Sequence, residues 1–384
     1  MDEFDVIVIG GGSGGSAVAG RLAEAGKSVC LLEAGPRNNT ILVKTPGFMP
    51  FLRQSSNYRY ETVPQKGLNG RTGYQPRGRG LGGSSAINAM IYIRGNHWDY
   101  DNWAAQGNDE WAYIKVLPYL NKLETDLDIR DDFHGSSGPI PVRRHLAESW
   151  LPLQKAFFEA CLDSGIPEDP DMNGPASGGV GSMPLNNPGG VRMSTALGYL
   201  NLCRYRLNLT IKANVSVQRV LFNGNRAIGV QAKSGPEEFI LEGNEIILSA
   251  GAIASPQLLM LSGVGPARQL QNLNITVVHD LPGVGQNMKN HPSVSLRFKP
   301  KADYGLGTDA PRNQVGLRVT STESSPRNDI QIQPITSGPA GTEAKEIRVG
   351  CRLELPMGVG ELTLTSTDPQ TQPRLDYQFL EESG

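Results

Sequence analysis

Several features that would point to a particular class of protein are missing from this 384-residue sequence. Its four cysteines, Cys30, Cys161, Cys203 and Cys351, are far apart and contain no C-x-x-C pair. This spacing shows no zinc site and no disulfide framework. It favours reduced, mostly buried thiols, as expected in a cytoplasmic protein.

An excess of charge of one sign is also lacking, since 36 Lys and Arg residues stand against 38 Asp and Glu residues. This balance argues against a nucleic-acid-binding surface and against a polybasic membrane surface. No apolar run approaches the roughly 18 residues that a membrane span needs. The N-terminus, Met-Asp-Glu, shows neither the basic region nor the separate apolar segment of a signal peptide. The length suggests about two domains.

The first 35 residues combine a strand, a glycine-rich turn, a helix and a second strand. Asp5 to Ile9 is a short apolar run typical of a buried parallel strand. The next residues have the spacing G-x-G-x-x-G, with glycines at positions 10, 12 and 15. Ser16 to Ala25 then predicts a helix, and Lys27 to Leu32 predicts a strand that ends on Glu33.

Each residue type in this pattern has a physical role in a dinucleotide site. Gly10 allows the tight turn, Gly12 lets the backbone approach a pyrophosphate, and Gly15 lets the helix pack closely on the strand. The start of the helix that follows offers free N–H groups and a dipole that favour the negative charge of a phosphate. Glu33, 18 residues after Gly15, is close to the roughly 20 expected for the acid that accepts the ribose hydroxyls. The stretch by itself leaves NAD and FAD open.

A second glycine-rich run extends from Arg77 to Met90. Its glycines supply close backbone approach and its serines supply hydroxyls, while Asn88 offers a donor and an acceptor. Such a run is suited to line the middle of a long dinucleotide. Between the two glycine runs, Pro36 to Arg77 is predicted to be a long loop with one strand at Tyr58 to Val63.

Further along, helices are predicted at Glu110 to Leu123, Leu146 to Asp163, Ser194 to Tyr205 and Ile253 to Leu261, with a loop over residues 165–190. Short strands are predicted at Leu209 to Ala213, Ser216 to Phe222, Arg226 to Ala232, Glu238 to Leu241, Glu245 to Ser249 and Ile275 to His279. From Ser293 onward, alternating stretches predict an antiparallel sheet with one solvated face.

Two of these motifs resemble the signatures of the glucose–methanol–choline (GMC) flavin oxidoreductases. They are the run from Gly80 to Asn88 and the stretch Gly251-x-x-x-Ser255-Pro256 that continues to Gly265. The N-terminal glycine motif and the turn Gly283 to Asn287 fit the same family in the same order. The resemblance spans Met1 to about His291, and the segment around Leu123 to Arg144 is similar to choline-dehydrogenase-like members and to the mycofactocin-associated subgroup.

The resemblance implies a Rossmann-like α/β FAD-binding domain of the glutathione-reductase type and an α+β substrate domain with an antiparallel sheet. Residues 1–137 and 207–291 would form the first, and residues 138–206 and 292–384 the second. FAD is then the expected ligand. The implied cofactor-binding residues are Gly10, Gly12, Ser13, Gly14, Gly15, Glu33, Ala34, Arg79, Gly82, Gly83, Ser84, Asn88, Ala89, Met90, Ile91, Val215, Ala250 and Gly251. Ile87 occupies the position where some members attach FAD through a histidine, so non-covalent FAD is expected.

The family's catalytic histidine lies in a C-terminal segment that this sequence, ending at Gly384, is expected to lack. The five histidines are His97, His134, His145, His279 and His291, and none matches the catalytic position. Oxidation of an alcohol needs a base for the hydroxyl proton while a hydride goes to the flavin. We therefore expect no catalytic residue and no metal ligand, and weak or no activity for this chain alone.

Three functions follow from these observations. The leading one is an FAD-dependent enzyme that oxidises a primary or secondary alcohol to a carbonyl. Its partners would be the alcohol and an electron acceptor, either oxygen or a quinone-like carrier. The second is a non-catalytic flavin-binding fragment or a subunit of a split enzyme. The third is an NAD-linked dehydrogenase, against which the run from Gly80 to Asn88 argues.

Overall fold

A six-stranded mixed sheet has the N-terminal strand near its centre. The structure is a computed structural model and describes residues 3–46, 56–301, 313–322, 328–337 and 346–381. The strands of this sheet are β1 (Glu3–Ile9), β2 (Val29–Glu33), β8 (Leu209–Ala213), β9 (Ser216–Asn223), β10 (Arg226–Ser234) and β11 (Glu237–Leu248). Their order is β8-β2-β1-β11-β10-β9, parallel from β8 to β11 and antiparallel from β11 to β9.

Both faces of the central strand are buried. Ile7 and Ile9 face a cluster that includes Leu258, whereas Val6 and Val8 face a cluster that includes Ala19. The helices on the two faces are α1 (Ser13–Glu24) and α7 (Gly251–Leu261); a π-helical turn, Ala196–Leu200, and α6 (Asn201–Cys203) lie on the α1 side. A parallel strand buried on both faces needs the continuous apolar run that Asp5 to Ile9 supplies.

The second sheet is antiparallel, as predicted. Its order is β14 (Ser293–Phe298), β17 (Glu346–Leu353), β16 (Ile330–Ser337), β15 (Val315–Val319) and β7 (Gly179–Ser182). Helix α5 (Pro152–Asp163) covers it, with Cys161 in one cluster with Val180 and Val315. The prediction of a loop over 165–190 was wrong at β7, because pairing with β15 and not local composition makes this glycine-rich segment a strand.

The remaining elements connect and flank the two sheets. The helices are α2 (Ile41–Lys44), α3 (His97–Ala105), α4 (Tyr113–Leu123) and α8 (Ala267–Asn272). The short strands pair as β3 (Tyr60–Glu61) with β4 (Tyr74–Gln75), β5 (Glu124–Asp126) with β6 (Ile140–Val142), β12 (Val264–Gly265) with β13 (His279–Asp280), and β18 (Glu361–Thr363) with β19 (Arg374–Asp376). Among the described residues, no helix is both long and apolar enough to cross a membrane.

Several predicted boundaries need correction. The two strands predicted at 238–241 and 245–249 are the single strand β11, because Glu242 pairs with β10 on one side and with β1 on the other. The first helix begins at Ser13 rather than Ser16, and the helix predicted from Leu146 begins at Pro152, after an extended Leu151. The strand predicted at 275–279 is reduced to β13. Part of the predicted loop (47–55) and the chain end (382–384) lie outside the described residues.

The β18–β19 hairpin packs on the first sheet's side of the molecule. Leu362 and Leu375 are buried in one cluster with Ile253, Met260 and Leu270, that is, against α7 and α8. The predicted division placed this hairpin with the substrate domain. The packing joins it to the predicted cofactor domain instead, while the division of the chain as a whole stays a prediction.

Candidate active site

A crevice of about 590 Å³ opens at the edge of the first sheet where β1, β2 and β11 end. In sheets of this kind, ligands bind outside the carboxyl ends of the parallel strands. The predicted site residues that line the crevice are Gly10, Gly12, Ser13, Gly14, Glu33, Ala34, Arg79, Gly83, Ser84, Val215, Ala250 and Gly251. Residues from five separate stretches of the sequence thus meet at one edge.

The glycine turn after β1 is tight because two close backbone approaches require glycine. Gly10 has φ +97°, and a Cβ there would lie 2.6 Å from the carbonyl oxygen of Ser249. A Cβ on Gly15 would lie 1.9 Å from the Gly10 carbonyl oxygen. The turn and the first turn of α1 therefore fold directly against β11, as the glycine spacing predicted.

The start of α1 leaves its backbone donors available. Its N-cap residue is Gly12, which provides no side-chain cap, and the first turn has no acidic residue. The first N–H groups of a helix have no intrahelical acceptor, and the dipole is positive at this end. Because Gly12, Ser13 and Gly14 line the crevice, this end of the helix suits a phosphate group.

The Glu33 carboxylate connects three segments around the crevice. One oxygen accepts the N–H of Gly11 at 2.8 Å, and the other accepts those of Gly35 and Gly80, each at 2.8 Å. The side chain is buried, with 6% of the residue exposed. Glu33 therefore holds the glycine turn, its own strand end and the second glycine run together. Among the described residues, Oε2 accepts only the Gly11 N–H, so this oxygen can accept one further hydrogen bond.

The second glycine run packs against the first. The Gly82 N–H donates to the Gly11 carbonyl oxygen at 2.7 Å, and a Cβ on Gly83 would lie 2.6 Å from the Gly12 Cα. Beside this contact, the Arg79 guanidinium lies over the ring of Tyr58 at 5.9 Å. Burial first, and then the Glu33 charge, raises the pKa of Tyr58 to about 12, so its hydroxyl stays neutral in the crevice.

Six predicted site residues do not line the crevice. Gly15 and Gly82 lie in the packing behind it, through the contacts described above. Asn88, Ala89, Met90 and Ile91 run away from it toward residues 185–193, where the Met90 carbonyl accepts the Asn186 N–H at 2.9 Å and Arg192 donates to the Asn88 carbonyl. Their role at a cofactor stays a prediction.

Sequence reasoning missed several groups that line the crevice. Asn57, Tyr58, Tyr60 and Arg77 come from the long loop, Ser216 and Val217 from β9, residues 252–254, Gln257, Leu258 and Leu261 from α7, and residues 369–372 from the β18–β19 hairpin. The α7 residues lie in the stretch from Gly251 to Gly265 that the sequence analysis singled out, and Ser216 follows the predicted Val215. The hairpin residues adjoin none of these motifs, so the sequence carried no signal that they join the crevice. The loop residues had a weak signal in the unusual length of their loop.

None of the five histidines lines the crevice. His97 packs on Trp98, His279 is exposed, and His291 lies 3.1 Å from Glu354. His145 is buried beside Arg143, and burial together with the Arg143 charge lowers its pKa to about 4. All five lie within the described ranges, so no histidine here is placed to act on a ligand in the crevice.

The fifth, His134, belongs to a buried ion network away from the crevice. Arg94 lies 2.7 Å from Glu124, and Arg144 lies 2.8 Å from Asp126. Glu124, Asp126 and His134 offer ligand atoms within 4.8 Å of one another, which is the spacing of a metal site. Two guanidinium groups already neutralise those carboxylates, so the arrangement suits an ion network better than a cation.

The fold and the site together define a Rossmann-like dinucleotide-binding protein: a strand, a glycine turn and a helix N-terminus, with an acid at the end of the next strand. The chain belongs to the GMC oxidoreductase family, whose model matches residues 4–293.

Individual relatives agree with this assignment. The oxygen-dependent choline dehydrogenase of Pseudomonas savastanoi pv. phaseolicola is 44% identical over 308 residues, which are 78% of this chain and 54% of that protein. That of Photobacterium profundum is 33% identical, over 98% of this chain and 72% of that protein. Among solved structures, pyridoxine 4-oxidase from Mesorbium loti superposes with a TM-score of 0.90 at 28% identity, over 99% of this chain and 77% of that one. The chain thus spans about half the length of the Pseudomonas relative that it matches.

Proposed function

We propose that the crevice binds FAD and that the chain is part of an FAD-dependent oxidoreductase acting on alcohols. The observation that carries the proposal is the junction of the two glycine runs, where Gly12 and Gly83 meet at the uncapped start of α1. In this proposal, Gly12, Ser13 and Gly14 meet the pyrophosphate and Glu33 meets the adenosine ribose. Val215, Ala250 and Gly251 lie on the adenosine side, and Arg79, Gly83 and Ser84 on the flavin side.

FAD in this family supplies an acceptor for a hydride from the carbon that bears the hydroxyl group. Oxidation of an alcohol to a carbonyl also releases the hydroxyl proton, which a base must take. An electron acceptor, oxygen or a quinone-like carrier, would be needed to take up the two electrons that the alcohol loses. Primary and secondary alcohols are the proposed substrate class, and choline, named in two relatives, is the first alcohol to test.

We also propose that the catalytic base does not come from the described part of this chain. The absence of histidine from the crevice lining supports this proposal. The chain alone then binds flavin but oxidises alcohols slowly or not at all. The alternative of a non-catalytic flavin-binding subunit rests on the same observation. A cytoplasmic location remains a prediction.

Two measurements test the proposal. Purified protein is expected to be yellow, with the absorbance of bound flavin, whereas an NAD-linked dehydrogenase would be colourless. Anaerobic addition of choline or a simple primary alcohol then separates the functions. Slow or absent bleaching of the flavin is expected, with faster bleaching when the chain is extended to the length of its relatives. Bleaching by the 384-residue chain at ordinary enzyme rates would show that the base is present.

We also propose that FAD is bound non-covalently, because the side chain of Ile87 cannot form the bond that a histidine forms at this position in some family members. Denaturation followed by filtration is expected to release all of the flavin into the filtrate. Flavin colour that stays with the precipitated protein contradicts this prediction.

A further inference from the structure

We propose that the loop of the β18–β19 hairpin, residues 364–373, is the outer wall of the adenosine end of the crevice and that Gln370 contacts the purine base there. The inference rests on the proposed function, since it places this loop at one end of the FAD molecule. Neither glycine run contributes to this wall. The loop is more than a hundred residues beyond the other residues that line this end.

The loop is hydrogen-bonded to two other elements, α7 and β3. The Gln257 side chain on α7, itself 7% exposed, donates from Nε2 to the Thr371 carbonyl oxygen at 2.9 Å. The Gln372 side chain pairs with the backbone of Glu61 in both directions, accepting its N–H at 3.0 Å and donating to its carbonyl at 2.6 Å. These hydrogen bonds fix the loop to α7 and to β3.

The loop is also ordered from within. Asp368 accepts the N–H of Gln370 at 2.9 Å, and the Asp368 carbonyl accepts the N–H of Thr371 at 3.0 Å. Both bonds form a turn that presents Pro369 and Gln370 to the crevice. The hairpin beneath it is secured by buried Leu362 and Leu375.

The chemistry of the lining at this end matches a purine. Val217, Ile253 and Leu258 give it apolar walls, and Pro369 adds an apolar ring. The amide of Gln370 lies 3.5 Å from the Ser216 hydroxyl, at the limit of hydrogen bonding. An exposed side-chain amide so weakly held has a donor and an acceptor available for the edge of a base. In this arrangement Gln370 is a binding residue, and Gln257 is a positioning residue that acts through the loop.

The experiment compares ligands that contain the adenosine half of FAD with one that does not. Dissociation constants of FAD, ADP and FMN are measured by fluorescence or calorimetry for flavin-free wild type, Gln370→Ala and Gln257→Leu. Thr367→Ala is the matched control, because Thr367 is exposed in the same loop and does not line the crevice. Losing one or two hydrogen bonds is expected to weaken FAD and ADP binding about five- to tenfold, with FMN unchanged.

Each other result has a defined meaning. If wild type binds FAD and both loop variants bind it equally well, the inference is overturned while the proposed function stands. A loss that is equal for FAD, ADP and FMN also overturns it, since the loop then acts on the crevice as a whole. If wild type binds neither FAD nor ADP, the proposed function itself fails. Gln370 is exposed, so its variant folds even if Gln257→Leu does not.

Discussion

At Gly15 the hydrogen atom that stands in place of a side chain faces the carbonyl oxygen of Gly10. The neighbouring Gly14 has no heavy atom within 4 Å of the position of a Cβ, and its φ is not positive. Two adjacent glycines in one helical turn therefore differ in what they contribute: Gly15 is required for packing, whereas Gly14 lines the crevice.

This difference gives a prediction for two matched variants. Gly15→Ala is expected to lower the free energy of unfolding by about 3 kcal/mol or more, because the added Cβ clashes with the Gly10 carbonyl oxygen and forces α1 away from the glycine turn. Gly14→Ala is expected to change it by no more than about 0.5 kcal/mol, or to stabilise the flavin-free protein slightly. Urea denaturation of both flavin-free variants measures the contrast. Equal stability of the two variants contradicts the packing role of Gly15.

Glu33 is the second residue whose role the structure defines. Its carboxylate accepts three backbone N–H groups. Glu33→Gln replaces one acceptor oxygen by an amide donor, which then faces a buried N–H, so a loss of about 1–3 kcal/mol in unfolding free energy is expected. Glu24→Gln is the control, since the exposed pair of Glu24 with Arg21 contributes less than about 1 kcal/mol. Chemical denaturation of the flavin-free proteins measures both losses in unfolding free energy. A loss for Glu33→Gln that is no larger than the loss for Glu24→Gln contradicts the proposed role of Glu33 in joining the three segments.

At the scale of elements, β5, β6 and their neighbouring loops are joined by the buried ion network. His134 Nδ1 lies 2.8 Å from Asp131, and its Nε2 lies 3.3 Å from Asp171, which also pairs with Arg144 at 2.7 Å. Burial by itself would lower the pKa of His134, but the carboxylates of Asp171 and Asp131 outweigh it and the pKa is raised. The protonated imidazole is thus the form that the fold prefers.

The sign of the pH dependence follows from that direction. A pKa raised above the ordinary 6.5 means that the stabilisation by His134 is complete below pH 6.5 and is lost as pH rises through the folded-state value. The difference in unfolding free energy between wild type and His134→Gln is therefore expected to shrink from pH 6 to pH 9, by about 1.4 kcal/mol per pKa unit. Urea midpoints at several pH values test this, with exposed His279→Gln as the control. A difference that grows with pH contradicts the assignment.

For the whole molecule, FAD bound between the two glycine runs is expected to stabilise the fold. A ligand at 100 times its dissociation constant adds about 2.7 kcal/mol to the unfolding free energy. For a chain of 384 residues this corresponds to a rise of about 3 °C in the unfolding temperature. Calorimetry with and without FAD measures it, and NAD at the same concentration serves as the control ligand. A shift with NAD and none with FAD would favour the dehydrogenase alternative.

The sequence by itself determined the glycine turn, the presence of a helix after it and the position of Glu33 at the end of the next strand. It did so because these features depend on neighbours in the chain: only glycine fits a positive φ at Gly10 or a packed backbone at Gly15. Short apolar runs between turn residues likewise predicted most of the strands of the first sheet.

Only the tertiary structure decided the rest, because the interactions responsible join residues far apart in sequence. The glycine-rich segment at β7 is a strand because β15 pairs with it, and β11 is continuous because it has a different partner on each side. Gln257 and Thr371 form a hydrogen bond although they are 114 positions apart, so no local sequence pattern predicts that the hairpin lines the crevice. The glycine turn at the end of β1 can therefore be predicted from the sequence, whereas the shape of the crevice around it comes from the packing of distant segments.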